Sequence, residues 1–188
     1  MKHGQGEKVL AADWGKASAW CTFDTPIERC RLGWNEHGLT RLMLPDEDAA
    51  YEARPVPDYA PDFVRDALSR LGRYFKGEPE SFEGVPLDLS CVTESRRVLY
   101  QMLRTIGWGE TVTYGMLADK LGVPGAARAI GRSIGANPIP IIVPCHRVLA
   151  AGGRLGGFTA PRGTTTKQEL LDLEGAVVEW TRQMGFGF

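Results

Sequence analysis

Long apolar runs are missing from this 188-residue chain: the longest, Ile139 to Cys145, is broken by Pro140 and Pro144. It falls far short of the roughly 18 residues that a membrane-crossing helix needs, so no bilayer-spanning segment is expected. The apolar stretch Val9 to Ala12 is too short for a secretion signal and is closed by Asp13, which gives a cytoplasmic location, or a nuclear one in a eukaryote. Cysteine is scarce. Cys21, Cys30, Cys91 and Cys145 make neither a dense disulfide framework nor the paired short spacing of a structural zinc site, so reduced thiols and no metal are expected. Cys21 and Cys30, with His3 and His37 near in sequence, read as buried small hydrophobes ahead of an irregular metal site. With 43% hydrophobic and 24% charged residues, disorder is excluded and one or two ordinary domains remain.

Acidic residues are also missing from one long region. Residues 1–90 carry 11 Lys and Arg against 16 Asp and Glu, and residues 91–188 carry 11 against 7, so the halves stand at −5 and +4. Between Lys120 and Gln168 there are seven basic residues and no acidic one. Such a stretch fits an anionic partner, the alternative being a plain solvated basic face.

In the first half, apolar alternation over 19–23, 27–34 and 39–44, with Asn35-Glu36-His37-Gly38 as a turn, predicts an antiparallel meander. Phe63, Ala67, Leu68, Leu71, Tyr74 and Phe75 then recur at helical spacing, predicting a helix packed on that sheet. A Pro-bearing connection over 77–89 sets a domain boundary near residue 90. Beyond it, Val98 to Ile106 predicts a helix stopped by Gly107. Thr113 is a suitable N-cap for a second helix over 114–121, and Gly122-Val123-Pro124-Gly125 separates that helix from a third over 126–136. Two short helices around a glycine turn read as a helix-turn-helix.

The third helix is made of small residues, among them Ala126, Ala127, Ala129, Gly131 and Ser133, with Ile130 and Ile134 as core anchors and Arg128 as the one long side chain near its start. Its outer face can approach a flat surface closely, which accounts for helix-interior glycines that cost about 1 kcal/mol each. An apolar run over 138–149, read as extended, delivers Cys145-His146-Arg147. A thiol beside an imidazole and a guanidinium is a candidate nucleophile, with His146 reaching sulfur through a water. Glu174, where the last helix ends at Gly175, is a candidate to orient the imidazole.

Tyr114-Gly115, Ala127-Arg128-Ala129-Ile130-Gly131, Asn137-Pro138, Val143-Pro144-Cys145-His146-Arg147-Val148, Gly156-Gly157-Phe158 and Leu170-Leu171-Asp172-Leu173-Glu174 together resemble the O6-alkylguanine-DNA alkyltransferases. The match is close over residues 95–175 and looser through Arg73-Tyr74-Phe75 and Pro86-Leu87-Asp88-Leu89. The resemblance implies an α+β protein: an N-terminal ribonuclease-H-like α/β domain, residues 1–90, and a mainly helical, winged-helix-like DNA-binding and catalytic domain, residues 91–188. It further implies that Cys145 takes the alkyl group, that His146 and Glu174 activate it, and that Tyr114 polarises the flipped guanine. Arg128 would fill the base stack from the minor groove with Ala126, Ala127, Ala129, Gly131 and Ser133 around it, Asn137 would brace the turn, and Val148 and Thr159 would line the base pocket. No cofactor is implied, and the partner is duplex DNA bearing O6-alkylguanine, met by a monomer. Phe158 departs from a tyrosine common in relatives, and 159–166 replaces a shorter loop.

A free thiol of pKa about 8.5 is roughly 3% ionised at pH 7, so complete ionisation gains only about thirtyfold. Alignment of sulfur with the alkyl carbon and a hydrogen bond to the leaving purine have to supply most of the rate. The competing readings are a non-enzymatic lesion binder, a helix-turn-helix regulator with an incidental thiol, and a multiple-turnover Cys-His hydrolase.

Overall fold

The computed structural model describes residues 17–46 and 51–176; His3, Val9 to Ala12 and the tail Met184 to Phe188 lie outside them. The expected meander is present as β1 (Ala19–Thr25), β2 (Glu28–Asn35) and β3 (Gly38–Met43), antiparallel and in sequence order. Asn35 builds its own turn, its side-chain oxygen accepting from the backbone N–H of His37 at 2.9 Å and of Gly38 at 3.2 Å. The helix α1 (Asp62–Tyr74) lays Val64, Ala67, Leu71 and Tyr74 on this sheet, a stripe at the period of an α-helix. Cys21 and Cys30 are fully buried in that core. Burial pushes their thiols to about 11 and about 12, Arg54 and Thr25 respectively opposing it, as suits small core residues.

The segment before residue 90 is more than a connection. Leu39 donates its N–H to the carbonyl of Pro86, Asp88 donates back to the carbonyl of Leu39, both at 2.9 Å, and the Asn35 amide donates to Asp88 at 2.6 Å in a buried contact. The chain leaving the first half is thus stitched to the free edge of β3, satisfying backbone groups that an open edge leaves exposed.

Beyond it come α2 (Glu94–Leu103), β4 (Val112–Thr113), α3 (Tyr114–Lys120), α4 (Ala127–Gly135), β5 (Val148–Leu149) and α5 (Thr164–Leu173). α2 stops at Leu103, and residues 104–106 continue as turns rather than helix. Thr113 caps α3 as expected, its hydroxyl accepting from the N–H of Met116 at 3.2 Å. α3 and α4 pack as the helix-turn-helix pair, with Leu117, Ala118, Ile130 and Ile134 in the second core. β4 and β5 pair in parallel, Val112 with Val148 and Thr113 with Leu149. No helix among the described residues is long and apolar enough to cross a membrane.

One expectation is corrected. Only Val148–Leu149 of the run 138–149 is a strand; residues 138–147 are coiled into turns, with Ile141 at a φ of 71° and a short 3-10 turn at Cys145–Arg147. Prolines at 138, 140 and 144 remove backbone donors, and the Asn137 side chain takes up the slack at both ends of the loop. Its amide donates to the carbonyl of Val143 at 2.8 Å, and its oxygen accepts from the N–H of Ile139 at 3.0 Å. The turns let one short segment serve two cores: Ile139, Ile141 and Ile142 pack with the sheet and α1, while Val143, Cys145 and Val148 pack with the helix-turn-helix.

Candidate active site

Cys145 opens the 3-10 turn with its side chain buried, and His146 and Arg147 follow it inward. Glu174, the residue that closes α5, meets both of them. His146 Nε2 lies 2.7 Å from Glu174 Oε1; Arg147 donates from Nε to Oε2 at 2.8 Å and from Nη2 to Oε1 at 3.0 Å. Two further donors complete the carboxylate: the Tyr74 hydroxyl to Oε1 at 2.8 Å, and more weakly the Gly109 N–H to Oε2 at 3.4 Å. A planar guanidinium gripping a carboxylate with two bonds is the geometry that offsets the desolvation of a buried pair.

The titrations follow from this packing. Burial alone would raise the Glu174 carboxyl, but the hydrogen bonds and charges of His146 and Arg147 overcome it and bring the group down to about 2. An ionised carboxylate only accepts, so His146 Nε2 carries the proton and Nδ1 carries the lone pair. Nδ1 is buried with no hydrogen-bond partner among the described residues. Burial lowers the pKa of His146 against the pull of Glu174, Arg147 and Lys167 lowering it further, so the ring rests neutral. Burial also raises the Cys145 thiol, the Asn137 amide and the Lys167 charge opposing it. At rest the site therefore holds a protonated thiol and a neutral imidazole.

A cavity of about 600 Å³ joins the sulfur to the helix-turn-helix; Tyr114, Arg128, Gly131, Thr159 and Cys145 are among its walls. A smaller one, about 270 Å³, meets Cys145 from the side of Asn137, Tyr51 and Arg41. A larger cavity, about 730 Å³ between Phe82, Arg104 and Trp108, lies behind Arg147 and does not include Cys145, so size does not mark the candidate site.

The model of the 6-O-methylguanine DNA methyltransferase ribonuclease-like domain matches residues 19–89, and that of the DNA-binding domain matches residues 94–176. The chain is 43% identical over 154 residues to a methylated-DNA–protein-cysteine methyltransferase of Mycolicibacterium paratuberculosis, covering 81% of this chain and 90% of the relative. The chain belongs to the 6-O-methylguanine DNA methyltransferase family. The mouse methylated-DNA–protein-cysteine methyltransferase is 32% identical over 184 residues, covering 89% of this chain and 86% of that one. A crystal structure of Mycobacterium tuberculosis OGT in complex with DNA superposes with a TM-score of 0.68 at 40% identity, covering 83% of this chain and 92% of that one.

In this methyltransferase fold the residues singled out from the sequence divide into three groups. Cys145, Tyr114, Ala127, Arg128, Gly131 and Thr159 line the one cavity, while His146 and Glu174 stand behind the sulfur. Ala129 is exposed on the outer side of α4 with Arg128; Ala126 and Ser133 are half-buried, the Ser133 carbonyl accepting from the Tyr100 hydroxyl at 2.9 Å. Val148 is buried in β5 and is not among the cavity walls. The small residues of α4 also serve its inner side. A Cβ on Gly135 would stand 3.3 Å from Thr159 Cγ2, against a side chain whose hydroxyl already donates to the Gly135 carbonyl at 2.7 Å.

Sequence reasoning passed over three members of the site. In the sequence Arg147 presents itself as a neighbouring cation, Tyr74 as a core aromatic, and Lys167 as one of a basic series. Lys167 is in fact fully buried, donating to the carbonyls of Val148 and Leu155. A signal existed: Lys167, Leu170, Leu171 and Glu174 recur at helical spacing, so the two charged residues share the stripe of the two leucines and point inward with them.

Proposed function

We propose that this chain repairs alkylated duplex DNA by direct reversal, moving the alkyl group from O6 of guanine onto Sγ of Cys145. The observation that carries the reading is the single cavity uniting Cys145, Tyr114 and the start of α4, backed by the buried His146–Glu174 pair. His146 Nδ1 accepts the thiol proton through a water, with Glu174 steadying the imidazolium that results. Sulfur attacks the alkyl carbon, the carbon–O6 bond breaks with its electron pair going to the purine, and the Tyr114 hydroxyl supports the charge arriving there. The thioether has no good leaving group, so each chain reacts once.

For the base to reach Cys145 it leaves the stack, at a cost of a few kcal/mol. Arg128 fills the gap, and the small outer face of α4, with Ala126, Ala127, Ala129, Gly131 and Ser133, lies in the minor groove. Asn137 holds the loop bearing the nucleophile, and Thr159 borders the base, while Val148, expected beside it, is buried in β5 outside the cavity wall. We assign residues 1–90 to the ribonuclease-H-like domain and 91–188 to the DNA-binding and catalytic domain of a monomer that needs no cofactor. Its work lies where the DNA is, in the cytoplasm or in a eukaryotic nucleus.

Intact-protein mass spectrometry after mixing with a duplex bearing one O6-methylguanine tests this. The expected result is a gain of one methyl group, saturating at one per chain and absent from Cys145→Ala, which still binds the duplex. Lesion binding without a mass change would instead indicate a damage sensor.

A further inference from the structure

Among the donors to Glu174, Tyr74 comes from the other half of the chain, 100 residues away. Packing alone does not call for its hydroxyl. The ring meets Trp108 edge-on at 5.3 Å and Phe75 edge-on at 5.3 Å, with Phe82 at 6.2 Å, contacts that a phenylalanine would make equally well. The oxygen instead sits at the seam, 2.8 Å from Glu174 Oε1 and 3.4 Å from His146 Nε2. A carboxylate has no hydrogen to give, so the Tyr74 hydroxyl donates to it.

Taking alkyl transfer through Cys145 as the reaction, we propose that Tyr74 is a positioning residue for it, tying up the oxygen of Glu174 that faces His146 and so keeping the imidazole neutral with its Nδ1 lone pair free. Oε1 receives His146 Nε2 at 2.7 Å, Tyr74 at 2.8 Å and Arg147 Nη2 at 3.0 Å. Each donor draws charge from the carboxylate and leaves less to stabilise an imidazolium. Without the Tyr74 hydroxyl, the charge of Glu174 falls more fully on His146, the ring takes a proton at higher pH, and a protonated ring is no base for the thiol. The titratable and charged groups around the ring are Glu174 at the end of α5, Lys167 within α5, Arg147 and Cys145 in its own turn, and Tyr74 from α1. Lys167 and Arg147 oppose protonation and Glu174 favours it; Tyr74 acts without a charge of its own, by sharing Oε1 of Glu174 with His146 and Arg147. The further consequence is that the N-terminal half takes part in the chemistry, through α1, as well as in the fold.

The test is the pH dependence of single-turnover transfer in the full chain, Tyr74→Phe against the unaltered protein. The acid limb is expected to move up by about one pH unit, so that transfer on that limb slows roughly tenfold while above pH 8 the rates agree within about threefold. An acid limb left in place, or an equal loss at every pH, overturns the proposal and leaves Tyr74 a packing residue. Nitrogen-15 histidine spectra of the full chain read the same point without any transfer, so failure of the repair reading is separable from failure of this one. The expected result is an Nε2–H tautomer that titrates below the ordinary 6.5 and moves up in Tyr74→Phe. An Nδ1–H tautomer in the unaltered chain overturns the proposal even if the variant does not fold.

Discussion

Lys167 donates to the carbonyl oxygen of Val148 at 2.6 Å from a place where none of its side chain meets solvent. Burial brings its ammonium down to about 8, the Cys145 sulfur opposing the shift, and its charge in turn favours the thiolate of Cys145. The same group thus fastens β5 and favours the ionised form of the Cys145 thiol.

Lys167→Met is expected to slow transfer about tenfold at pH 7, the Cys145 thiol being about tenfold less ionised without that charge. The sign in stability is opposite. The unfolded chain holds the Lys167 proton up to about 10.5 and the folded chain only to about 8, so this residue makes stability rise with pH between those values. Denaturant titrations across that window should show the rise in the unaltered chain relative to the variant.

Gly156 stands at a φ of 66°, and a Cβ there would come within 3.3 Å of the Tyr114 ring and 3.6 Å of its hydroxyl. Gly156→Ala combines a left-handed backbone that costs roughly 1–2 kcal/mol with a push on Tyr114. Transfer to Cys145 is expected to fall about tenfold, with duplex binding by gel shift nearly unchanged. Equal losses in both would assign the glycine to folding alone.

Glu174→Gln removes the charge from a buried cluster and leaves Arg147 with no anion. The expected loss is about 3–5 kcal/mol of stability, seen as a thermal midpoint lower by roughly 10 °C, together with a fall in transfer of at least a hundredfold. The pH dependence also follows. The folded carboxyl is depressed from 4.5 to about 2, so its contribution is whole above pH 4.5 and disappears as the pH falls towards 2, some 3 kcal/mol in all. His146 works in the same direction from 6.5 downwards, since the unfolded chain takes that proton first. Acid denaturation of the Gln variant should be flatter over the lower window.

Arg128 is exposed at the start of α4. Arg128→Ala is expected to reduce repair in duplex DNA by ten- to a hundredfold while the reaction with free O6-benzylguanine changes less than twofold. Matched losses on both substrates would count against insertion into the base stack.

Much of the fold was readable because its cues are local. The meander follows from alternation and a turn that Asn35 makes by itself, and the helix-turn-helix from a capping Thr113 and a breaker at 122–125. Cys145-His146-Arg147 offers a candidate nucleophile in three consecutive residues. The run 138–149 misled because branched apolar residues and prolines favour extended backbone locally. What coils it is the amide of Asn137 together with two cores competing for its side chains. Tyr74 was unreadable for a different reason: the stripe of α1 looks the same whether its last ring ends in carbon or in a hydroxyl that finds Glu174 across the molecule.

The parallel pairing of Val112-Thr113 with Val148-Leu149 spans only two residues on each strand, yet it clips the cap of α3 to the chain just past the nucleophile. Main-chain bonds do not stretch as a long side chain does, so the start of α3, with Tyr114, is held at a set distance from the turn that bears Cys145. The interval between the Tyr114 end of α3 and Cys145 is therefore a property of the main chain, which side-chain rotation does not lengthen.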